Sequence, residues 1–186
     1  MAELYLALLH HPMLDKTGQV VTTALTNMDI HDIARSALTY GVRRFYVAHP
    51  VRALRLLAEK IIEHWQTGYG ASYNQTRKEA LQIVALETDF DGVLVAIERD
   101  AGCRPVVVAT SAKSSPGRLP FAELRRRLET DQRPYLLVLG TGWGLAPELI
   151  ARCDLFLEPI LGTGTYNHLS VRSAAAIILD RLCGQR

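Results

Sequence analysis

Six short apolar runs recur along this chain of 186 residues, and each is separated from the next by a segment with helical character. They are Leu4–Leu9, Arg44–Ala48, Gln82–Glu87, Pro105–Thr110, Tyr135–Gly140 and Asp154–Leu157. Most are continuously apolar rather than alternating, which is the pattern of strands covered on both faces. Strands of that kind joined by helices build an α/β fold: here, a six-stranded, mostly parallel sheet with helices on both faces, in a single domain spanning 1–186. In such a sheet, ligands bind outside the carboxyl ends of the strands. The ends of interest, Thr110, Gly140 and Leu157, all lie in the second half of the chain.

The connecting segments carry their own signals. Thr26 or Asn27 can cap a helix running to Tyr40, with Gly41 as its stop and Ile30, Ile33, Ala34, Ala37 and Leu38 as its core face. His49-Pro50 opens a second helix, with Pro50 near its first turn, ending near Thr67-Gly68. The stretch 68–74 (GYGASYN) reads as a loop, followed by about a turn of helix at Arg77–Ala80. Asp89 caps a helix to about Ala101, and further helices cover Phe121–Thr130, Pro147–Ala151 and about Leu169–Cys183. His10 to Thr26 has no clear periodicity, and loops of that length are often functional or mobile.

Composition narrows the class. Hydrophobic residues make up 48% and charged residues 22%, with a net charge of +2, which is ordinary for a globular protein and too small to demand a nucleic-acid partner. The basic residues do cluster, most densely at Arg125–Arg126–Arg127, either as a solvated helix face or as a phosphate-binding surface. Cys103, Cys153 and Cys183 have no metal-ligand spacing and read as buried, reduced thiols, so the expectation is a cytoplasmic protein without a metal. The first residues lack a basic leader, and no apolar stretch is long enough to span a membrane.

Two glycine-bearing loops follow late strands. One lies in YLLVLGTGWGLAPEL, Tyr135 to Leu149, and the other in DLFLEPILGTGTYNHLSV, Asp154 to Val171, which runs into an alanine-rich apolar helix. Each offers backbone N–H and C=O groups to a small ligand, and together they read as two walls of one pocket. A dinucleotide site would place GxGxxG after the first strand, whereas this GTGWG follows the fifth; GxxxxGK[ST] is absent.

These segments resemble the three motifs of the SPOUT superfamily of RNA methyltransferases. Leu136–Leu145 is similar to the family's glycine-rich middle motif, without the Glu of the ribose-methylating branch. Leu157–Ile178 is similar to its last motif, with Pro159 and Gly162 in place and His168 where Asn is usual. Asp29–Gly41 resembles its first motif: Arg35 falls on the motif's arginine, Asp29 on its Asn and His31 on its Gly. The whole chain resembles a small single-domain bacterial branch of that superfamily. The resemblance implies a deep trefoil knot over about 105–183, S-adenosylmethionine as methyl donor, a tRNA or rRNA substrate, and a homodimer that completes the active site.

Carried onto this chain, the resemblance implies a donor site built from Thr110, Leu139, Gly140, Thr141, Gly144, Leu157, Glu158, Ile160, Gly162, Asn167, His168, Leu169 and Ser170. Asn167 could equally cap the last helix, Trp143 could be a lid or a core anchor, and Glu158 could face the donor's positive charge or solvent. Methyl transfer needs an acceptor held in line and relieved of its proton. Arg35 and Asp29 are the candidate catalytic residues, with His31 and Arg35 on one flank of their helix and Asp29 on the other, where a helix N-terminus already favours a carboxylate. Tyr69 and Tyr73 could stack on bases with Arg77 and Lys78 on phosphates, or their loop could be a dimer contact. The competing classes are a Rossmann-type nucleotide-using enzyme and a non-catalytic RNA- or protein-binding dimer of the same fold.

Overall fold

The computed structural model describes residues 2–185. All six expected strands form, and all pair in parallel. They are β1 (Leu4–Leu9), β4 (Arg44–Ala48), β5 (Val84–Glu87), β6 (Val106–Ala109), β7 (Tyr135–Gly140) and β8 (Leu155–Phe156), in the order β5-β4-β1-β7-β6-β8. Strand β7 therefore inserts between β1 and β6. This insertion places the carboxyl ends of β7, β6 and β8 side by side.

The pleat of β1 divides the core in two. Leu4, Leu6 and Leu8 face a layer of α1 (Asn27–Thr39), α2 (Arg52–Gln66), α4 (Gln75–Gln82), α6 (Phe121–Thr130) and α8 (Val171–Cys183). Tyr5, Ala7 and Leu9 face α5 (Phe90–Ala101) and α7 (Pro147–Ile150). That is the period of two expected of a strand covered on both sides. Helix α1 starts where Thr26 accepts the Asp29 N–H, and Ile30, Ile33, Ala34 and Ala37 are buried as expected. Leu38, one step round the helix, is exposed.

The structure corrects several local expectations. The segment after β1 contains a hairpin, β2 (Met13–Leu14) and β3 (Val20–Val21). Its turn is made by Asp15 Oδ1, which accepts the Thr17 and Gln19 N–H groups, and by Gly18 at φ 82°. The expected loop at 68–74 holds a short helix, α3 (Tyr69–Tyr73). Gly70 allows it to lie against α2, since a Cβ there would stand 2.6 Å from Trp65 Cε3. Helix α2 starts at Arg52 with Val51 as its cap, so Pro50 lies just outside it. Asn74 caps α4, which extends through Gln82 and shortens the strand that follows.

The arginine run on α6 is a face of ion pairs. Arg126 and Arg127 bond Glu123, and Arg125 bonds Glu129. Cys103 is exposed, contrary to the buried thiol expected there. Cys153 and Cys183 are half-buried, and burial pushes both thiols up. No helix among the described residues is long and apolar enough to cross a membrane.

Candidate active site

A cavity of about 670 Å³ opens at the carboxyl ends of β7, β6 and β8. One wall is the glycine loop after β7, which is clamped to the hairpin. The Leu14 N–H donates to Gly144 C=O at 2.8 Å, the Trp143 N–H to Leu14 C=O at 3.0 Å, and the Ala146 N–H to Pro12 C=O at 3.1 Å. Gly142 and Gly144 have φ of 60° and 106°, a region that disfavours side chains. Gly140 has a different role. A Cβ on it would lie 2.8 Å from Leu145 Cδ2 and 3.2 Å from Met13 Sδ, so its missing side chain makes room for packing beneath the loop.

The hairpin itself is tied to the sheet through two buried histidines, His10 and His49. Their rings lie 5.1 Å apart. His49 Nε2 donates to Thr23 C=O at 3.0 Å, and its Nδ1 accepts the Val51 N–H at 3.1 Å. That pattern holds a neutral imidazole with both ring nitrogens paired. His10 Nδ1 lies 3.2 Å from Thr23 Oγ1, and the Thr23 hydroxyl also pairs with that of Thr141. Burial, with the neighbouring His49, pushes His10 down to about 4. Thr23 and Thr141 both face the cavity.

The opposite wall is the segment between β8 and α8. Glu158 N–H donates to Leu119 C=O, and Ser170 C=O accepts from Ala174. From Pro159 to Leu169 the backbone makes no backbone–backbone hydrogen bond among the described residues. A side-chain tie holds the segment: Asn167 Nδ2 donates to Ala112 C=O at 2.7 Å. Ser170, rather than Asn167, caps α8 by accepting the Ser173 N–H.

The N-terminus of α1 closes the cavity with Asp29, only 6% exposed. Asp29 Oδ2 accepts the Thr26 hydroxyl at 2.6 Å, and its Oδ1 lies 3.6 Å from Arg172 of α8. Arg172 also reaches Asp32, at 3.4 Å. Asp29 thus lines the cavity from the first turn of α1, where the helix N-terminus favours a carboxylate, and it is held there by the hydroxyl of the cap residue Thr26.

Of the residues singled out from sequence, Thr110, Leu139, Gly140, Thr141, Gly144, Glu158, Ile160, Asn167, His168, Leu169 and Ser170 line the cavity with Asp29. Leu157 is fully buried beneath it, while Gly162 and Arg35 are exposed and do not line it. Trp143 lines the cavity and is 57% exposed, the position of a lid rather than of a core anchor. Glu158 Oε1 accepts the Phe121 N–H at 2.7 Å, capping α6 from a distance where Pro120 offers no capping side chain.

Sequence reasoning missed Thr23, Ala24, Lys113 and Arg172. The SAKSS loop directly after β6 was a usable signal for Lys113. Nothing local marked the others.

The cavity suits a nucleoside-bearing ligand. Leu139, Ile160, Leu169 and Ile178 supply an apolar slot, and the open wall beside them carries backbone donors and acceptors without partners among the described residues. Comparison with known proteins identifies the fold. The fold matches the A. aeolicus TrmH/SpoU tRNA modifying enzyme (TM-score 0.56, 20% identity, covering 98% of this chain and 74% of that one). It also matches an AdoMet-bound rRNA methyltransferase from Sinorhizobium meliloti (TM-score 0.57, 18% identity, 97% and 55%). This is the fold of the SPOUT methyltransferases.

Residues 3–184 match the family described as SAM-dependent RNA methyltransferase, and the chain belongs to that family. It is an enzyme, and its methyl donor is S-adenosylmethionine. An uncharacterized protein from Aquifex aeolicus is 43% identical over 96% of this chain and 87% of its own length. A tRNA (guanine-N(1)-)-methyltransferase from Nitratidesulfovibrio vulgaris is 47% identical over 97% of this chain. The chain spans only 42% of that longer relative. The Rossmann and non-catalytic alternatives are set aside by this membership.

Proposed function

We propose that the chain methylates a nucleotide of tRNA or rRNA in the cytoplasm, as a homodimeric, knotted SPOUT domain, with Asp29 as the group that takes the acceptor's proton. The observation that carries this reading is the position of Asp29. It is a buried carboxylate on the rim of the donor cavity, fixed by Thr26 and Arg172, and it faces the wall whose backbone is free to bind a ligand. The longer relative's guanine-N1 activity supports a ring N–H as one such acceptor.

When bound, the donor supplies an electrophilic methyl group on a sulfonium. The chain's part is placement and proton removal. The glycine loop and the Ile160–Leu169 backbone hold the adenosine, and Trp143 covers it. Thr26 and Arg172 hold the Asp29 carboxylate toward the acceptor. With the donor held there, its methyl group would be available to the acceptor nitrogen or oxygen, and Asp29 would take the proton that the acceptor loses. Arg35, exposed and without a carboxylate within ion-pair distance among the described residues, is proposed to reach the RNA or the partner protomer's site. The knot reading is supported by the insertion of β7 between β1 and β6 and by Asn167 reaching across to Ala112.

The test is methyl transfer to bulk tRNA and rRNA by Asp29→Asn and Arg35→Ala, with donor affinity measured by calorimetry. We expect Asp29→Asn to lower transfer about 100-fold or more, the scale of general-base loss. Arg35→Ala should lower it too, with donor affinity unchanged in both. Unchanged transfer in Asp29→Asn removes it from the reaction.

A further inference from the structure

A second group of residues stands apart from the cavity. Tyr69 and Tyr73 begin and end α3, and their rings stack with centroids 6.1 Å apart and 23° between planes. They are 76% and 73% exposed. Two large rings left in water side by side forgo the gain of burial, and a paired exposed face of this kind points to an occupant.

The helix that carries them has no charged residue and is pinned through Gly70 to Trp65 of α2. Trp65 is held by a cation and two imidazoles. The Arg77 guanidinium lies 4.4 Å from its ring centroid, and His31 and His64 meet it edge-on at 5.6 and 5.2 Å. Among the described residues neither Arg77 nor Lys78 has a carboxylate within ion-pair distance. Arg77 Nε and His31 Nδ1 are buried without a hydrogen-bond partner. The two exposed rings thus lie on the short helix that directly precedes and packs against α4, whose Arg77 and Lys78 have no ion-pair partner among the described residues.

Two occupants fit exposed aromatics, and size separates them. A stable protein interface covers about 800 Å² per partner, whereas a tyrosine side chain contributes only about 150–250 Å². A base covers one ring, and its flanking phosphates seek a cation. The enzyme acts on RNA. Helix α4 packs against α1, the helix that brings Asp29 to the cavity, so the platform and the acceptor side share one layer.

We propose that Tyr69 and Tyr73 form a stacking platform for unpaired bases of the RNA substrate, with Arg77 and Lys78 attracting the adjoining phosphates. This rests on RNA being the substrate, not on the assignment of Asp29.

The test uses the full chain and a short fluorescein-labelled oligouridylate, followed by anisotropy. Base–aromatic stacking is worth about 5- to 150-fold in affinity per base. The double Tyr69→Ala/Tyr73→Ala variant should lose at least about that lower factor. The double Phe variant, which keeps both rings, should recover wild-type affinity. Donor affinity should not move, and KM for bulk tRNA should rise with kcat held. Unchanged RNA affinity in the Ala variant overturns the platform. So does a dimer that becomes a monomer on sedimentation of that variant, since the rings would then cover a second copy. Absence of methyl transfer by the wild type would instead sink the proposed function while leaving the binding result to stand.

Discussion

The two walls of the cavity are built on opposite principles. The hairpin and the glycine loop after β7 form a fastened wall: their backbones exchange hydrogen bonds at Leu14, Trp143, Gly144 and Ala146, and two buried histidines bolt Thr23 to the sheet. The segment from Pro159 to Leu169 forms an open wall, with one side-chain tie at Asn167 and with Leu161 and Tyr166 largely exposed. A backbone N–H paired within the fold has no second proton to offer a ligand, so the fastened wall chiefly gives shape. The open wall keeps its hydrogen-bonding capacity uncommitted, and this is where the donor is proposed to bind. The comparison predicts that stability resides on one side and ligand response on the other.

Acid gives the largest break. His10 is neutral and fully buried, with its folded value pushed from 6.5 to about 4, and burial lowers His49 as well. Between those two values the unfolded chain binds the proton and the folded chain does not. The His10 contribution is therefore complete above pH 6.5 and is lost as pH falls toward 4. A shift of this size corresponds to about 3 kcal/mol. Urea unfolding across that range should show the loss, and His10→Gln should flatten it. A wild-type stability that stays constant from pH 7 to 4 would show that the histidines do not hold this wall.

Gly140→Ala comes next. Its Cβ would meet Leu145 and Met13 at distances that force a shift, and overpacking of this kind costs about 1–3 kcal/mol. The expected result is a lower unfolding midpoint in urea with donor affinity largely retained at a temperature where the variant is folded. Donor affinity lost without any change in stability would place the effect in the cavity instead.

Much of this contrast could be read in the sequence, and its limits have physical causes. The strands showed because burial on both faces forces continuous apolar runs, and the bounds of Phe121–Thr130 and Tyr135–Gly140 coincide with the elements observed. The α1 cap showed as one of two neighbours, Thr26 or Asn27, because a polar side chain just before an apolar-periodic segment has a local purpose, and the structure selects Thr26. Thr23 did not show, because its meaning comes from Thr141, 118 residues away. Arg172 was hidden for the same reason, since its partners Asp29 and Asp32 lie on a distant helix. Gly140 looked like a ligand-approach glycine, but the side on which its Cβ is missing depends on the orientation of β7, which no spacing reports.

Gly164→Ala gives the smallest effect and the cleanest reading of the open wall. A Cβ at Gly164 meets nothing within 4 Å, and its φ lies outside the left-handed region, so alanine fits without strain. Replacing glycine at a compatible position restricts the unfolded chain and stabilises by about 0.4–1 kcal/mol. A small rise in the unfolding midpoint is therefore expected, opposite in sign to Gly140→Ala although both glycines belong to loops around one cavity. A fall in the midpoint would mean that the Pro159–Leu169 segment is fastened after all, and the distinction between the walls would fail at its weakest point.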